Sequence, residues 1–189
     1  MERGDDVRGG FPRRYRVWVL DGLDASWTPD HTVRALGLLS ATVLLMVEVD
    51  DGPAYDLLVH GPVYGDPPRF VLATPDPYAF CLVFATAALV FDVRDPANPR
   101  PPEFGSEDAR AILSDVARGQ LVYVHDHGLD AYAPDGLRWQ ARIMGCGIHR
   151  ARLDGDLVRG EVDSFDGLRR TPFAVDAATG TFVGPEPEV

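Results

Sequence analysis

The sequence predicts an all-β fold, mainly antiparallel, for three reasons. Apolar and polar side chains alternate in many short segments, such as residues 14–20, "RYRVWVL". Turn residues separate these segments at intervals of roughly 8–12 residues, which is the spacing of strands joined by hairpins. The 19 Gly and 16 Pro are scattered rather than clustered, which indicates many turns and few long helices.

The predicted strands begin at residue 14 and follow one another along the chain. In the first half they cover 14–20, 41–49, 54–60, 69–74, 79–85 and 88–93, and Asp50-Asp51-Gly52 is the turn of a hairpin. A polar linker over 94–108 comes next. The second half then provides 121–125, 129–133, 137–143, 148–153, 156–162, 171–176 and 180–183.

Two segments also have helical features, so the fold class includes one or two short helices. Residues 29–44 have apolar side chains at helical spacing, although glycine and β-branched residues weaken this prediction. Residues 106–119 are the better candidate, because Ser106 can cap the helix and Gly119 can end it. The alternative for this second segment is a strand over 111–116.

The length of 189 residues and the hydrophobic content of 46% suit one globular domain. Residues 1–13 are expected to be a flexible tail, because they are charged and rich in glycine. A single β-rich domain is predicted over 14–184, with a possible sub-boundary in the linker 94–108.

The charge of the chain bears on its partners. All 18 basic residues are arginine and the formal net charge is −11. Such a charge repels phosphate backbones, so nucleic acid is excluded as a predicted partner. A basic protein is the predicted partner, since opposite potentials speed encounter. The alternative is that the charge only maintains solubility.

A cytoplasmic location without membrane contact is predicted. The first residues lack the apolar region of a secretory signal. The longest apolar stretch, 35–47, is shorter than the roughly 20 residues that a membrane-spanning helix needs. Cys81 and Cys146 are compatible with reduced thiols, although a disulfide between them stays open.

Two segments resemble one another and a known repeat. Residues 173–184, "FAVDAATGTFVG", and 121–142, "LVYVHDHGLDAYAPDGLRWQAR", are similar to the repeats of quinoprotein-type (PQQ-like) β-propellers. Residues 82–99 are a poorer third copy. In the turn of residues 173–184, Asp176 is expected to accept hydrogen bonds from turn amides with support from Thr179, and Gly180 is expected to adopt a positive φ.

The resemblance implies architecture alone. It predicts blade-like hairpins that form a partial propeller or a two-sheet sandwich, because at roughly 40 residues per blade the chain holds at most about four blades. In that family the repeat residues hold the blades together, so no catalytic residue and no cofactor is carried over. The sequence predicts no cofactor.

His125-Asp126-His127 is the most conspicuous group of chemically capable residues. On a strand His125 and His127 would share a face and point at one metal ion, with oxygen from Asp126 or Asp130. The alternative is that these residues form the bend of a hairpin. No metal site is predicted, and His125 and His127 are kept as the candidates if one exists.

Other catalytic patterns are weaker. Cys146 lies three residues before His149, which suggests either a thiolate–imidazole pair or a loop of small residues. The absence of lysine excludes Schiff-base and P-loop lysine chemistry.

The predicted function is therefore a non-enzymatic protein-binding domain. It would act on a basic partner as an immunity-like protein or an accessory subunit, with self-association through sheet edges as a further possibility. The predicted contact residues are Trp27, Asp126, His127 and Asp130. The alternative is a metal-binding or small-ligand protein, or a hydrolase, with a pocket around His125, Asp126 and His127.

Overall fold

A computed structural model describes residues 6–20, 28–34, 40–62, 70–84, 88–100 and 110–184. The all-β prediction is confirmed in these residues, where fifteen strands form four mostly antiparallel sheets and no helix occurs. It follows that no helix in the described part is long and apolar enough to cross a bilayer.

The chain divides into two compact units, Met1–Glu107 and Asp108–Val189. The division falls at the end of the linker 94–108. The prediction of one domain over 14–184 stays a prediction, because compactness alone does not show whether either unit folds without the other.

The described residues of the first unit form eight strands in two sheets. They are β1 (Val7–Arg8), β2 (Tyr15–Leu20), β3 (His31–Arg34), β4 (Ser40–Val49), β5 (Tyr55–Pro62), β6 (Phe70–Ala73), β7 (Ala79–Val83) and β8 (Ala88–Asp92). The sheet orders are β1-β6-β7-β8 and β2-β4-β5-β3. The predicted hairpin at Asp50-Asp51-Gly52 is confirmed, since β4 and β5 pair antiparallel around that turn.

One apolar cluster joins the two sheets of the first unit. Val17 and Leu45 come from one sheet, Phe80 and Phe91 from the other, and all four are fully buried. Each such side chain contributes roughly 1.5–3 kcal/mol when it is taken out of water. The Tyr15 hydroxyl donates to the Ala79 carbonyl over 2.8 Å, so its polar atom is satisfied within the core.

The predicted helix over 29–44 is wrong in its described residues. His31–Arg34 is strand β3 and residues from Ser40 onward form β4, while 35–39 lie outside the described residues. The apolar residues that suggested helical spacing instead alternate along two strands, where Val33 and Val43 are buried. β-Branched side chains such as these favour a pleated surface over a helix.

The predicted helix over 106–119 is also wrong, and the strand alternative is confirmed. Ala111–Asp115 forms β9, while Ser106 lies outside the described residues. β9 pairs antiparallel with 120–125, so cross-strand partners outweigh the local helix signals. Gly119 has φ +60° and belongs to the turn between these strands rather than to a helix end.

Within residues 110–184, the second unit forms seven strands in two sheets. They are β9, β10 (Gln120–His125), β11 (Gly128–Ala133), β12 (Gly136–Arg142), β13 (Ile148–Asp154), β14 (Leu157–Asp163) and β15 (Arg170–Asp176). The orders β12-β11-β10-β9 and β13-β14-β15 are simple meanders. Both sheets supply one core, which includes Val122, Leu129, Val158 and Val175. Each unit is thus a pair of sheets around one core, as in a sandwich, and the partial propeller stays a prediction.

Trp139 links the two sheets of the second unit. Its indole Nε1–H donates to the Ala177 carbonyl over 2.9 Å, and the Gln120 amide donates to the same oxygen over 2.6 Å. A Cβ on Gly180 would lie 2.7 Å from Trp139 Cε3, so glycine is needed where the ring packs. The aromatic residue of segment 121–142 is therefore held by the turn of segment 173–184.

The turn chemistry predicted for 173–184 is confirmed. The Asp176 carboxylate accepts the amides of Ala178 and Thr179, each over 2.9 Å, and the Thr179 hydroxyl over 3.0 Å. Gly180 has φ +73°. These contacts stabilise any tight turn of this kind, so the quinoprotein resemblance stays a prediction.

Candidate functional site

Three connections lie at one end of the second unit, and together they are called the loop end. They are the turn Asp126–His127, residues 143–147 and residues 164–169. The Ile143 amide donates to the His127 carbonyl over 3.0 Å, which joins the first two. The Cys146 amide donates to the Asp163 carbonyl over 3.0 Å, which joins the second to the base of the third.

Glycine allows this close approach of the loops. A Cβ on Gly145 would lie 2.5 Å from the Asp163 carbonyl oxygen. A Cβ on Gly147 would lie 3.7 Å from His149 Nε2 and 3.8 Å from Asp126 Oδ1. The loop end therefore brings His149 of one sheet near Asp126 of the other.

The hairpin interpretation of His125-Asp126-His127 is confirmed. His125 ends β10, and Asp126 and His127 form the turn before β11. The two imidazoles do not share a strand face, because His127 is an exposed turn residue while the His125 ring faces Asp130. In the described part of the chain, no group of three or more His, Cys, Asp and Glu side chains is arranged to hold a metal ion.

The His125 ring contacts three neighbouring groups. The His127 amide donates to His125 Nδ1 over 3.3 Å. His125 Nε2 lies 3.5 Å from Asp130 Oδ1 and also 3.5 Å from a guanidinium nitrogen of Arg142. The His125 imidazole and the Arg142 guanidinium therefore lie beside each other and both face the Asp130 carboxylate.

Asp130 is buried beneath these two side chains and is only 6% exposed. Its Oδ1 has no hydrogen-bond partner within the described residues, and Arg142 stands 4.0 Å away. Asp130 Oδ1 therefore lies within ion-pair reach of the His125 imidazole and the Arg142 guanidinium without a hydrogen bond to either.

Asp126 is held by Arg110 at the start of β9. Two hydrogen bonds of 2.8 and 2.9 Å join the guanidinium to both carboxylate oxygens. These bonds hold the pKa of Asp126 below its ordinary value, against the opposing effect of partial burial. Of the predicted contact residues, His127 is exposed, Asp126 is paired, Asp130 is buried, and Trp27 lies outside the described residues.

The lowered pKa of Asp126 gives a pH prediction. Asp126→Asn is expected to lower the free energy of unfolding by at most about 1 kcal/mol at neutral pH, because the paired arginine is largely exposed. Since the folded-state pKa is below that of the unfolded chain, this stabilisation is complete above the ordinary Asp pKa. It disappears as the pH falls through the lowered value.

Urea denaturation of the wild type and the variant at a series of pH values measures the difference. Asp135→Asn is the control, since Asp135 is exposed in the neighbouring turn. If the difference in free energy of unfolding between the wild type and Asp126→Asn grew as the pH was lowered, the prediction would be contradicted.

A second charged cluster was not predicted from the sequence. His149 Nε2 lies 2.6 Å from Asp163 Oδ2, and the Arg170 guanidinium donates to the other oxygen of Asp163 over 2.8 Å. These two partners, Arg170 first, keep the pKa of Asp163 below its ordinary value. His149 sits where the register of β13 and β14 shifts, and the next residue, Arg150, has φ +52°. No local spacing in the sequence signals this pairing.

The Cys146–His149 pair predicted as one alternative is not formed as a hydrogen bond. His149 Nε2 is taken by Asp163, and the Cys146 sulfur contacts the Phe165 carbonyl oxygen at 3.7 Å. Cys146 is an exposed thiol and Cys81 a buried one, so no disulfide joins them.

Large apolar side chains project into solvent at the loop end. Met144, Phe165 and Leu168 are 65%, 59% and 83% exposed. Residues 164–169 form an ordered loop, because the Ser164 hydroxyl donates to Asp166 and accepts the Arg169 amide over 3.0 Å. The apolar side chains are therefore presented by a loop that is stabilised by its own hydrogen bonds.

Comparison with known proteins does not assign this chain to a family. No protein-family model matches this chain, and no curated protein matches it.

Proposed function

We propose that this chain is a non-enzymatic protein-binding module that contacts its partner through the loop end. The observation that supports this proposal is the exposure of Met144, Phe165 and Leu168 on two neighbouring loops. Isolated exposed apolar residues are common, but large ones grouped on adjacent loops and surrounded by charged groups are typical of interaction surfaces.

The hydrogen bonds within the loop end support the same function. The loop 164–169 is held by the Ser164 and Asp166 side chains, and residues 143–147 are tied to Asp163 by backbone hydrogen bonds. A preorganised surface loses little conformational entropy when it binds, so more of the contact energy appears as affinity. Exposed aromatic and aliphatic side chains on such a surface are suited to act as anchors.

The sequence-predicted contact residues take different parts in this proposal. His127 lies at the rim of the loop end, where it can touch a partner. Asp126 acts through Arg110, which its carboxylate orients, while Asp130 is buried beside His125 and Arg142. The basic partner stays a prediction: the described residues hold 19 of the 29 Asp and Glu but 16 of the 18 Arg, so most of the acidic surplus lies elsewhere in the chain.

The double substitution Phe165→Ala with Leu168→Ala is expected to weaken partner binding by about tenfold or more. Both side chains are exposed, so the free energy of unfolding is expected to change by less than about 0.5 kcal/mol. Isothermal titration of the partner, together with urea denaturation of the variant, measures both quantities.

The partner itself is obtained by site-specific photo-crosslinking in cells of the native host. A benzophenone amino acid at position 165 is expected to capture one protein that also co-purifies with the unmodified chain. The matched control is the same amino acid at Val116, an exposed apolar residue in the turn between β9 and β10. Equal capture from both positions, or capture from neither, would count against the loop end as the contact surface.

A further inference from the structure

We infer that the partner segment seated on the loop end is acidic and carries apolar side chains. This inference rests on the proposed function and names the chemistry of the segment that the surface fits. A protein of either overall charge can carry such a segment.

The charges of the loop end are arranged in layers. Four arginines pair with four carboxylates, and in every pair the arginine side chain is the more exposed partner. The arginine side chains are 47–72% exposed and the carboxylate side chains 9–31%. The pairs are Arg110–Asp126, Arg142–Asp130, Arg150–Glu161 and Arg170–Asp163. In these four pairs the guanidinium is thus the outer group and the carboxylate the inner one, while Asp166 is an exposed carboxylate of the same surface, held by the Ser164 hydroxyl and the Leu168 amide.

Arg169 adds a further cation to this surface. It is exposed, and its guanidinium has no ion pair with another described residue. It directly follows Leu168, so a positive charge and the most exposed of the three apolar side chains are neighbours in one ordered loop. A segment with a carboxylate next to an apolar side chain would satisfy both at once.

The exposed ion pairs can exchange partners at low cost. A pair between an exposed arginine and a carboxylate contributes little to stability, so a guanidinium that turns toward a new carboxylate loses little free energy. Arginine is also suited to bidentate binding of carboxylates at interfaces, because its planar guanidinium presents parallel donors.

An acidic polypeptide fits this surface better than a nucleic acid does. Phe165, Leu168 and Met144 need apolar contacts to be covered, and a phosphate backbone offers none. The net charge of −11 also repels a long polyanion, whereas a short segment with two or three carboxylates feels mainly the local arginines.

Selection from a random 12-residue peptide library displayed on phage tests this inference, with the full chain as bait. The expected result is a set of enriched peptides that combine Asp or Glu with aromatic or aliphatic residues. The best of these, synthesised with a fluorescent label, is expected to bind Arg169→Glu about tenfold more weakly than the wild type at low salt. Arg152→Glu, an exposed arginine on β13 with the same change in charge, is the control and is expected to stay within about twofold.

Other results would overturn the inference in distinguishable ways. Enriched peptides that are basic or uncharged would refute the acidic segment while leaving the protein-binding function intact. If peptides were enriched on the wild-type chain no more than on the Phe165→Ala, Leu168→Ala variant, the protein-binding function of the loop end would be refuted as well. If the wild type bound a labelled 20-nucleotide single-stranded DNA and Arg169→Glu abolished that binding, the ligand of the loop end would be a nucleic acid and not a polypeptide. Self-association that Arg169→Glu abolishes, measured by light scattering, would support the inference and identify a second copy as the source of the segment.

Discussion

Replacing Trp139 with alanine is expected to lower the free energy of unfolding by about 3–5 kcal/mol. The indole is buried in the core of the second unit, between strands that belong to both of its sheets. Its removal leaves a cavity beside Gly180, whose backbone packs directly on the ring. Urea denaturation followed by far-ultraviolet circular dichroism measures the loss.

Trp139→Phe separates packing from hydrogen bonding. The Ala177 carbonyl retains the hydrogen bond from the Gln120 amide, so the loss of the indole N–H leaves no unsatisfied acceptor. The expected loss for this variant is about 1–2 kcal/mol. If Trp139→Ala cost no more than Trp139→Phe, the ring would not be the link between the two sheets.

Gly128→Ala is expected to lower the free energy of unfolding by about 3 kcal/mol. A Cβ at this position would lie 2.3 Å from the Ala141 carbonyl oxygen, which belongs to the neighbouring strand. Because the clash is with backbone, it cannot be relieved by a side-chain rotation, and β11 and β12 must separate. The same shift would displace Arg142, which is paired with Gly128 in the register of the sheet.

Gly119→Ala is the matched control for this substitution. Gly119 has φ +60°, but a Cβ there would meet nothing within 4 Å. Its expected cost is only the conformational one, about 1–2 kcal/mol. Thermal and urea unfolding of both variants show which one loses more stability. A larger loss of free energy of unfolding for Gly119→Ala than for Gly128→Ala would contradict the steric explanation.

The parts of the fold that depend on short-range order could be predicted from the sequence. The strands follow the alternation of apolar and polar residues, and turns such as Asp176 to Gly180 follow side-chain chemistry within four residues. The hairpin at His125-Asp126-His127 belongs to the same class. In each case the residues that determine the structure are neighbours in the chain.

The parts that depend on distant residues could not be predicted. Residues 106–119 have a cap signal and an apolar stripe, yet Ala111–Asp115 pairs with β10 because a sheet edge offers it backbone partners. The His149–Asp163 pair joins residues brought together by a hairpin with an irregular register. Because the chain contains many aspartates, the sequence alone does not indicate that Asp163 is the partner of His149.

The position of Cys146 has a practical consequence for work in solution. It is an exposed thiol within the loop end, while the second cysteine of the chain, Cys81, is buried in the other unit. Alkylating reagents can therefore address the native protein at one place without mutagenesis. Cys146 is a natural reporter group, whose rate of modification follows whether the surface around Phe165 is covered.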